Sequence, residues 1–198
     1  MVLDDNGQLL VFSGLDSAKH SLSRVVRIDP TSGHLTEAPK LPRVLHDAAG
    51  TMLNATALLM GGGEQESGYD HVTAVTGAQA GKDLGHLPQP RSDLAAITAG
   101  DTAYVIGGYD GKNLPATVLA TTDGGATWTT TGVAQLSDTI PTLYGTASAT
   151  DGSTIVVTGG AVGYQDDANK APPAYNSQLY FYKISIAYFF EHRTGELL

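Results

Sequence analysis

A short apolar strand closing in a pair of small residues occurs four times in this chain, and no other feature restricts its fold so far. The four are LLVFSG at Ser13 and Gly14, LLMGG at Gly61 and Gly62, YVIGG at Gly107 and Gly108, and IVVTGG at Gly159 and Gly160. Their second residues, Gly14, Gly62, Gly108 and Gly160, follow at intervals of 48, 46 and 52 residues. A second anchor keeps the same step. PRVLHDAAG from Pro42 and Arg43 returns as PRSDLAAITAG from Pro90 and Arg91, and more loosely as PTLYGTASATDG from Pro141. A sustained period near 50 residues marks a repeat architecture, in which neighbouring units cover one another's apolar faces.

Each unit reads as four short strands. A turn pair (Asn6–Gly7, Gly100–Asp101, Asp151–Gly152) precedes the strand that ends in the glycine pair, as hairpin punctuation does. After the pair come a polar loop, a strand with β-branched residues (24–28, 72–75, 117–120), a Gly-containing turn and a weaker last strand. Composition agrees with an all-β reading: of 198 residues 41% are hydrophobic, only 16% are charged and 24 are Gly, which excludes coiled coil, collagen and most disordered classes. The length fits one domain with a sizeable core.

A unit of four antiparallel strands near 50 residues, with paired glycines in its second strand, resembles the kelch repeat of β-propellers, of the bacterial type. The resemblance covers about residues 7–184. It implies a propeller of four kelch-like blades, with repeats near 1–41, 42–89, 90–140 and 141–184 and a tail or closing strand at 185–198. Thr121, Asp123, Gly125, Thr127 and Trp128 resemble the Asp-box hairpin of sialidases, in which the Asp is a structural turn residue. Four blades are the lower limit for a wheel, so the chain is expected either to close by itself or to form part of a larger one. Residues 1–14 read as supplying only a second strand, leaving the first unit's innermost strand to come from elsewhere. The N-terminus has Asp4 and Asp5 where an export signal needs Lys or Arg. The compartment stays open, extracytoplasmic if a leader has been lost and cytoplasmic otherwise.

The formal charge of −9 repels phosphate backbones, so nucleic acid is not an expected partner. The longest apolar-looking run, 180–190, is too short to span a membrane. With no cysteine, disulfides, thiolate metal sites and Cys nucleophiles are excluded, as is the Cys–Tyr copper radical of kelch-bearing galactose oxidase.

Antiparallel strands place the loop from second to third strand and the connection to the next unit on one face. That face collects Asp16, His20, Glu64, Glu66, Tyr69, Asp70, His71, Tyr109, Asp110, Asn113, Tyr164, Asp166 and Asp167, with Arg43, His46, Arg91 and Asp93 expected nearer the axis. The residues selected as binding are Arg43, Arg91, Tyr69, Asp70, Tyr109, Asp110, Asn113 and Tyr164. Aromatics supply flat apolar area and carboxylates accept hydroxyl or cationic donors, as a glycan or peptide site requires. Gly14, Gly61, Gly62, Gly107, Gly108, Gly159, Gly160, Asp123 and Trp128 read as structural. His46–Asp47 and Asp70–His71 are adjacent on strands and should point to opposite faces, so no catalytic His–Asp pair is expected. No cofactor site is expected, and no set of acids and histidines has a recognised metal-ligand spacing. The expected function is a binding module for a protein or glycan. The alternatives are a carbohydrate-active propeller enzyme, similar to sialidases or to the kelch sialic-acid mutarotase, and a truncated remnant of a larger propeller.

Overall fold

The structure is a computed structural model and describes residues 1–65, 67–75, 79–115, 117–131, 144–161 and 179–183. Tyr164, Glu66, Asp166, Asp167 and the 185–198 segment lie outside the described residues. Among these residues all regular structure is β, in four antiparallel sheets. The first contains β1 (Val2–Leu3), β2 (Leu9–Phe12), β3 (Val25–Ile28) and β4 (Leu35–Ala38). The second contains β5 (His46–Leu53), β6 (Thr56–Glu64), β7 (Ser67–Gly68), β8 (His71–Val75) and β9 (Lys82–His86), with β7 a side hairpin on β6. The third is β10 (Ala95–Ala99), β11 (Thr102–Ile106), β12 (Val118–Thr121) and β13 (Thr129–Thr130), and the fourth is β14 (Tyr144–Thr150), β15 (Thr154–Ala161) and β16 (Leu179–Lys183). Within each sheet the strands of the main path are ordered as in the chain. The arrangement is compatible with a propeller; the described residues do not show a closed wheel.

The first sheet does have its own inner strand, contrary to expectation. Val2 and Leu3 pair with Leu10 and Leu9. Asp4 closes this hairpin by accepting the amides of Asn6 and Gln8, both at 2.9 Å, in the manner of an Asx turn. Two residues are too few to display a strand period, which is why the pattern misses them. The glycine pairs also divide into two kinds. Ser13–Gly14 and Gly107–Gly108 follow the last strand residue, whereas Gly61–Gly62 and Gly159–Gly160 lie inside β6 and β15, which run on past them.

Alternation along the strands gives each sheet two faces, and the sheets stack face to face through three apolar cores. Val2, Leu10, Phe12, Val25, Leu45, Leu59 and Val75 join the first sheet to the second. Leu58, Met60, Val72, Leu94, Val105 and Leu119 join the second to the third, and Tyr104, Ile106, Val118, Ile155 and Val157 join the third to the fourth. Each such side chain contributes about 1.5–3 kcal/mol on burial. The inner strands also approach in sequence, β1 to β5, β5 to β10 and β10 to β14. Together they line an open groove of about 500 Å³ to which all four sheets contribute. Thr51 and Thr98 hydrogen-bond between β5 and β10 at 3.0 Å.

At the loop end the inner strands are linked through the main chain. Asp47, Asp93 and Gly145 each hold a left-handed backbone, with φ of 54°, 53° and 66°. The Asp93 amide donates to the Asp47 carbonyl at 2.9 Å, and the Gly145 amide to the Asp93 carbonyl at 2.7 Å. Non-glycine residues seldom adopt this conformation, and Asp is among those that tolerate it best.

Candidate functional site

The two arginines expected near the axis do different things, and neither is presented to an axial ligand. Arg43 turns outward along the second sheet, where its guanidinium forms a two-pronged ion pair with Asp83 on β9, one prong at 2.8 Å, and reaches Thr73 Oγ1 at 3.4 Å. Arg91 is 1% exposed. It donates to the carbonyls of Gly107 at 3.0 Å and Thr117 at 2.9 Å and to the Thr117 hydroxyl. These atoms lie at the mouth of the loop from β11 to β12, so Arg91 stitches that loop shut. Burial pushes its pKa down to about 10, which leaves it charged at neutral pH.

The reason for the difference is a two-residue slip. The Gly14 amide donates to the Leu45 carbonyl at 3.2 Å, and the Gly62 amide to the Arg91 carbonyl at 2.8 Å. The structural counterpart of Arg91 is therefore Leu45, itself 3% exposed. Two extra residues separate Pro–Arg from Asp in PRVLHD relative to PRSD. The Pro–Arg anchors repeat in the text without superposing in the fold.

The Asp110 loop is internally satisfied. Asp110 accepts the Lys112 amide at 2.8 Å and the Asn113 side-chain amide at 3.4 Å, and Asp16 does the same work in the first sheet, accepting the amides of Ala18 and His20 at 2.8 Å. Tyr109 is tied to Ser92 by a pair of main-chain hydrogen bonds. Asp123 likewise serves a turn: it accepts from the Thr121 hydroxyl at 2.8 Å, from the Thr127 amide at 3.0 Å and from the Thr127 hydroxyl at 2.5 Å. The Thr127 hydroxyl is the leading cause that takes its carboxyl down to about 2. Trp128 Nε1 donates to the Gly125 carbonyl at 3.2 Å.

Among the described residues, two polar clusters remain at the loop end of the sheets. The first lies where β5 and β10 begin. His46 Nδ1 meets the Ser21 hydroxyl at 2.9 Å, and His46 Nε2 lies 3.5 Å from the Asp47 carboxylate. The expectation that these neighbours point apart fails because the left-handed φ of Asp47 breaks the strand alternation on which it rests. Beside them, burial raises the Asp93 carboxyl above the usual range, opposed by the Ser92 hydroxyl at 2.8 Å and reinforced by the Asp47 charge.

The second cluster is larger and belongs wholly to the second sheet. Tyr69 and Asp70 come from the loop before β8, His71 begins β8, and His86 ends β9 directly opposite it. His86 Nδ1 lies 3.0 Å from Asp70 Oδ1. A His–Asp pair thus exists, although residues 70 and 86 give no hint of it in sequence; the antiparallel register alone brings them together. The His71 and His86 rings lie 4.8 Å apart, and Tyr69 meets His71 edge-on at 5.9 Å. The Tyr69 hydroxyl donates to Glu64 at 3.2 Å. Beneath them stands Asp83, which accepts the Thr73 hydroxyl at 2.8 Å and has an oxygen 3.8 Å from His71 Nδ1.

The Arg43 guanidinium is the chief cause that takes the Asp83 carboxyl from its ordinary 3.8 down to about 2, with Thr73 assisting and partial burial opposing. A carboxyl depressed in the folded state stabilises the fold above its unfolded pKa and loses that contribution as the pH falls toward the folded value. Stability should therefore drop between about pH 4 and pH 2, by roughly 1 kcal/mol once solvent screening of this one-third-exposed pair is allowed for. Urea titrations across that range check this. The acid slope should flatten in Asp83→Asn, and an unchanged slope in that variant would contradict the assignment.

No protein-family model matches the chain. A curated relative, acyl-CoA-binding domain-containing protein 5 of Arabidopsis thaliana, is 26% identical over 186 residues, which is 86% of this chain and 28% of the relative. The chain thus spans little more than a quarter of the length of the relative it matches.

Proposed function

We propose that the chain is a kelch-type propeller module, each sheet a blade, that binds a protein or glycan through the face bearing the loops before β3, β8 and β12 and the connections between sheets. The observation that supports this most is the group of Tyr69, Asp70, His71 and His86 on that face. An aromatic ring, a carboxylate and two imidazoles stand together at the surface of the second sheet, over a base held rigid by Arg43, Asp83 and Thr73. Such a group offers stacking area and directional polar contacts without demanding a conformational change. Arg91, Asp110 and Asn113 act in this reading as loop supports, and Arg43 as the anchor beneath the ligand.

The sialidase resemblance adds little support for an enzyme, since Asp123, Thr121 and Thr127 spend their hydrogen bonds on their own turn. The name of the plant relative does not enter the reading, because the match covers too small a share of it.

The test is a screen of the purified chain against sialylated and neutral glycans and a peptide library, repeated with Tyr69→Ala and Asp70→Ala. The ligand found should bind each variant at least tenfold more weakly while the melting temperature stays within a few degrees of the parent. A screen without any ligand, or binding that survives both substitutions, overturns the proposal.

A further inference from the structure

We propose that Asp70, His71 and His86 form a site for a divalent transition-metal ion of the Zn²⁺ type. The chain has 6 histidines, and two of them occupy directly opposed positions on β8 and β9. One donor atom from each of the three residues lies within 4.8 Å of the other two. Zinc bonds of roughly 2.0–2.2 Å set tetrahedral donors about 3.3–3.5 Å apart. His86 Nδ1 and Asp70 Oδ1, at 3.0 Å, already stand near that spacing. The His71 ring needs to close by about 1 Å, the scale of a small side-chain rotation.

The surroundings match what an ion requires. His71 Nδ1 is buried and has no hydrogen-bond partner, and Asp83 Oδ2 lies 3.8 Å from it. A proton on Nδ1 facing that carboxylate leaves the lone pair on Nε2. Shortening of that 3.8 Å gap to a hydrogen bond would give the carboxylate–histidine pairing that orients metal-bound imidazoles and raises their basicity. Asp83 is itself fixed by Arg43 and Thr73, and Tyr69 packs on the edge of the His71 ring. Two imidazoles and one carboxylate favour Zn²⁺, Co²⁺ or Ni²⁺ over Mg²⁺ and Ca²⁺, which take all-oxygen shells. With three protein ligands a fourth position stays open to water or to a donor from a ligand. This site stands on its own geometry and does not depend on the protein- or glycan-binding reading.

The test is a calorimetric titration of ZnCl₂ into chelator-treated protein, with Co²⁺ absorption as a second readout. One ion per chain is expected, with visible bands of a four-coordinate nitrogen and oxygen site, no competition from millimolar Mg²⁺ or Ca²⁺, and a Zn²⁺-dependent rise in melting temperature. His86→Gln, His71→Gln and Asp70→Asn should each weaken binding at least tenfold and abolish that rise. His34→Gln, on the turn before β4, should change neither. Absence of saturable binding, or affinity unchanged in both the His71 and His86 variants, overturns the site. The His86 side chain is 58% exposed, so its variant tests the site without disturbing a core.

Discussion

Replacing Gly61 with Ala is expected to lower the stability of this chain by about 3–5 kcal/mol. A Cβ at this position would lie 2.2 Å from the Arg91 carbonyl oxygen and 3.1 Å from Leu94. The obstructing atom is main chain, and it is pinned there because the next residue, Gly62, donates its amide to the same oxygen at 2.8 Å. Relief would require the connection between the second and third sheets to retreat, breaking that hydrogen bond and opening the core around Leu94, Val72 and Val105. The left-handed φ of 64° adds about 1 kcal/mol for any residue bearing a Cβ. Gly7→Ala is the matched control, since its φ is 74° but nothing lies within 4 Å of the added methyl. It should cost only about 1 kcal/mol. Chemical denaturation of both variants reads the difference, and a Gly61→Ala protein within 1 kcal/mol of Gly7→Ala would refute the close approach of the two segments.

Arg91→Ala should be similarly damaging, by about 3–5 kcal/mol. The substitution removes the side chain that donates to the Gly107 and Thr117 carbonyls and leaves a cavity where the aliphatic stem packed. Buried acceptors stripped of partners cost about 1–3 kcal/mol each. Arg91→Leu separates the contributions, because Leu45 fills the equivalent place in the preceding connection. Leucine restores the volume but not the hydrogen bonds, so its cost should fall to roughly half that of Ala. If Arg91→Ala unfolds at the parental denaturant concentration, the guanidinium is not the stitch described above.

The same two residues show how much of the site was open to inspection in the text. Gly61 and Arg91 are both visible in the sequence as repeating anchors, the first reading as structural and the second as binding. Their spacing said that they recur; it did not say that Arg91 turns inward to carbonyls 16 and 26 residues away. Tyr69 and Asp70 are recognisable in the sequence as polar residues of the loop after the glycine pair. Their partner His86 is not, because it belongs to the weakest strand of its unit and carries no repeat signature.

By itself the sequence determined the all-β character, the division into four groups of antiparallel strands, and the turns that punctuate them. These depend on local chemistry: glycine where φ is positive, β-branched residues where the chain is extended, and a period that any long repeat must display. Only the tertiary structure decided that Leu45, not Arg43, stands where Arg91 does, that Asp47 turns its carboxylate toward His46, and that Asp70, His71 and His86 converge. Each of these follows from strand register and from single left-handed residues. A shift of one position there reverses the direction of a side chain, and a shift of two puts a different residue in the same place, while the repeat pattern stays almost unaltered.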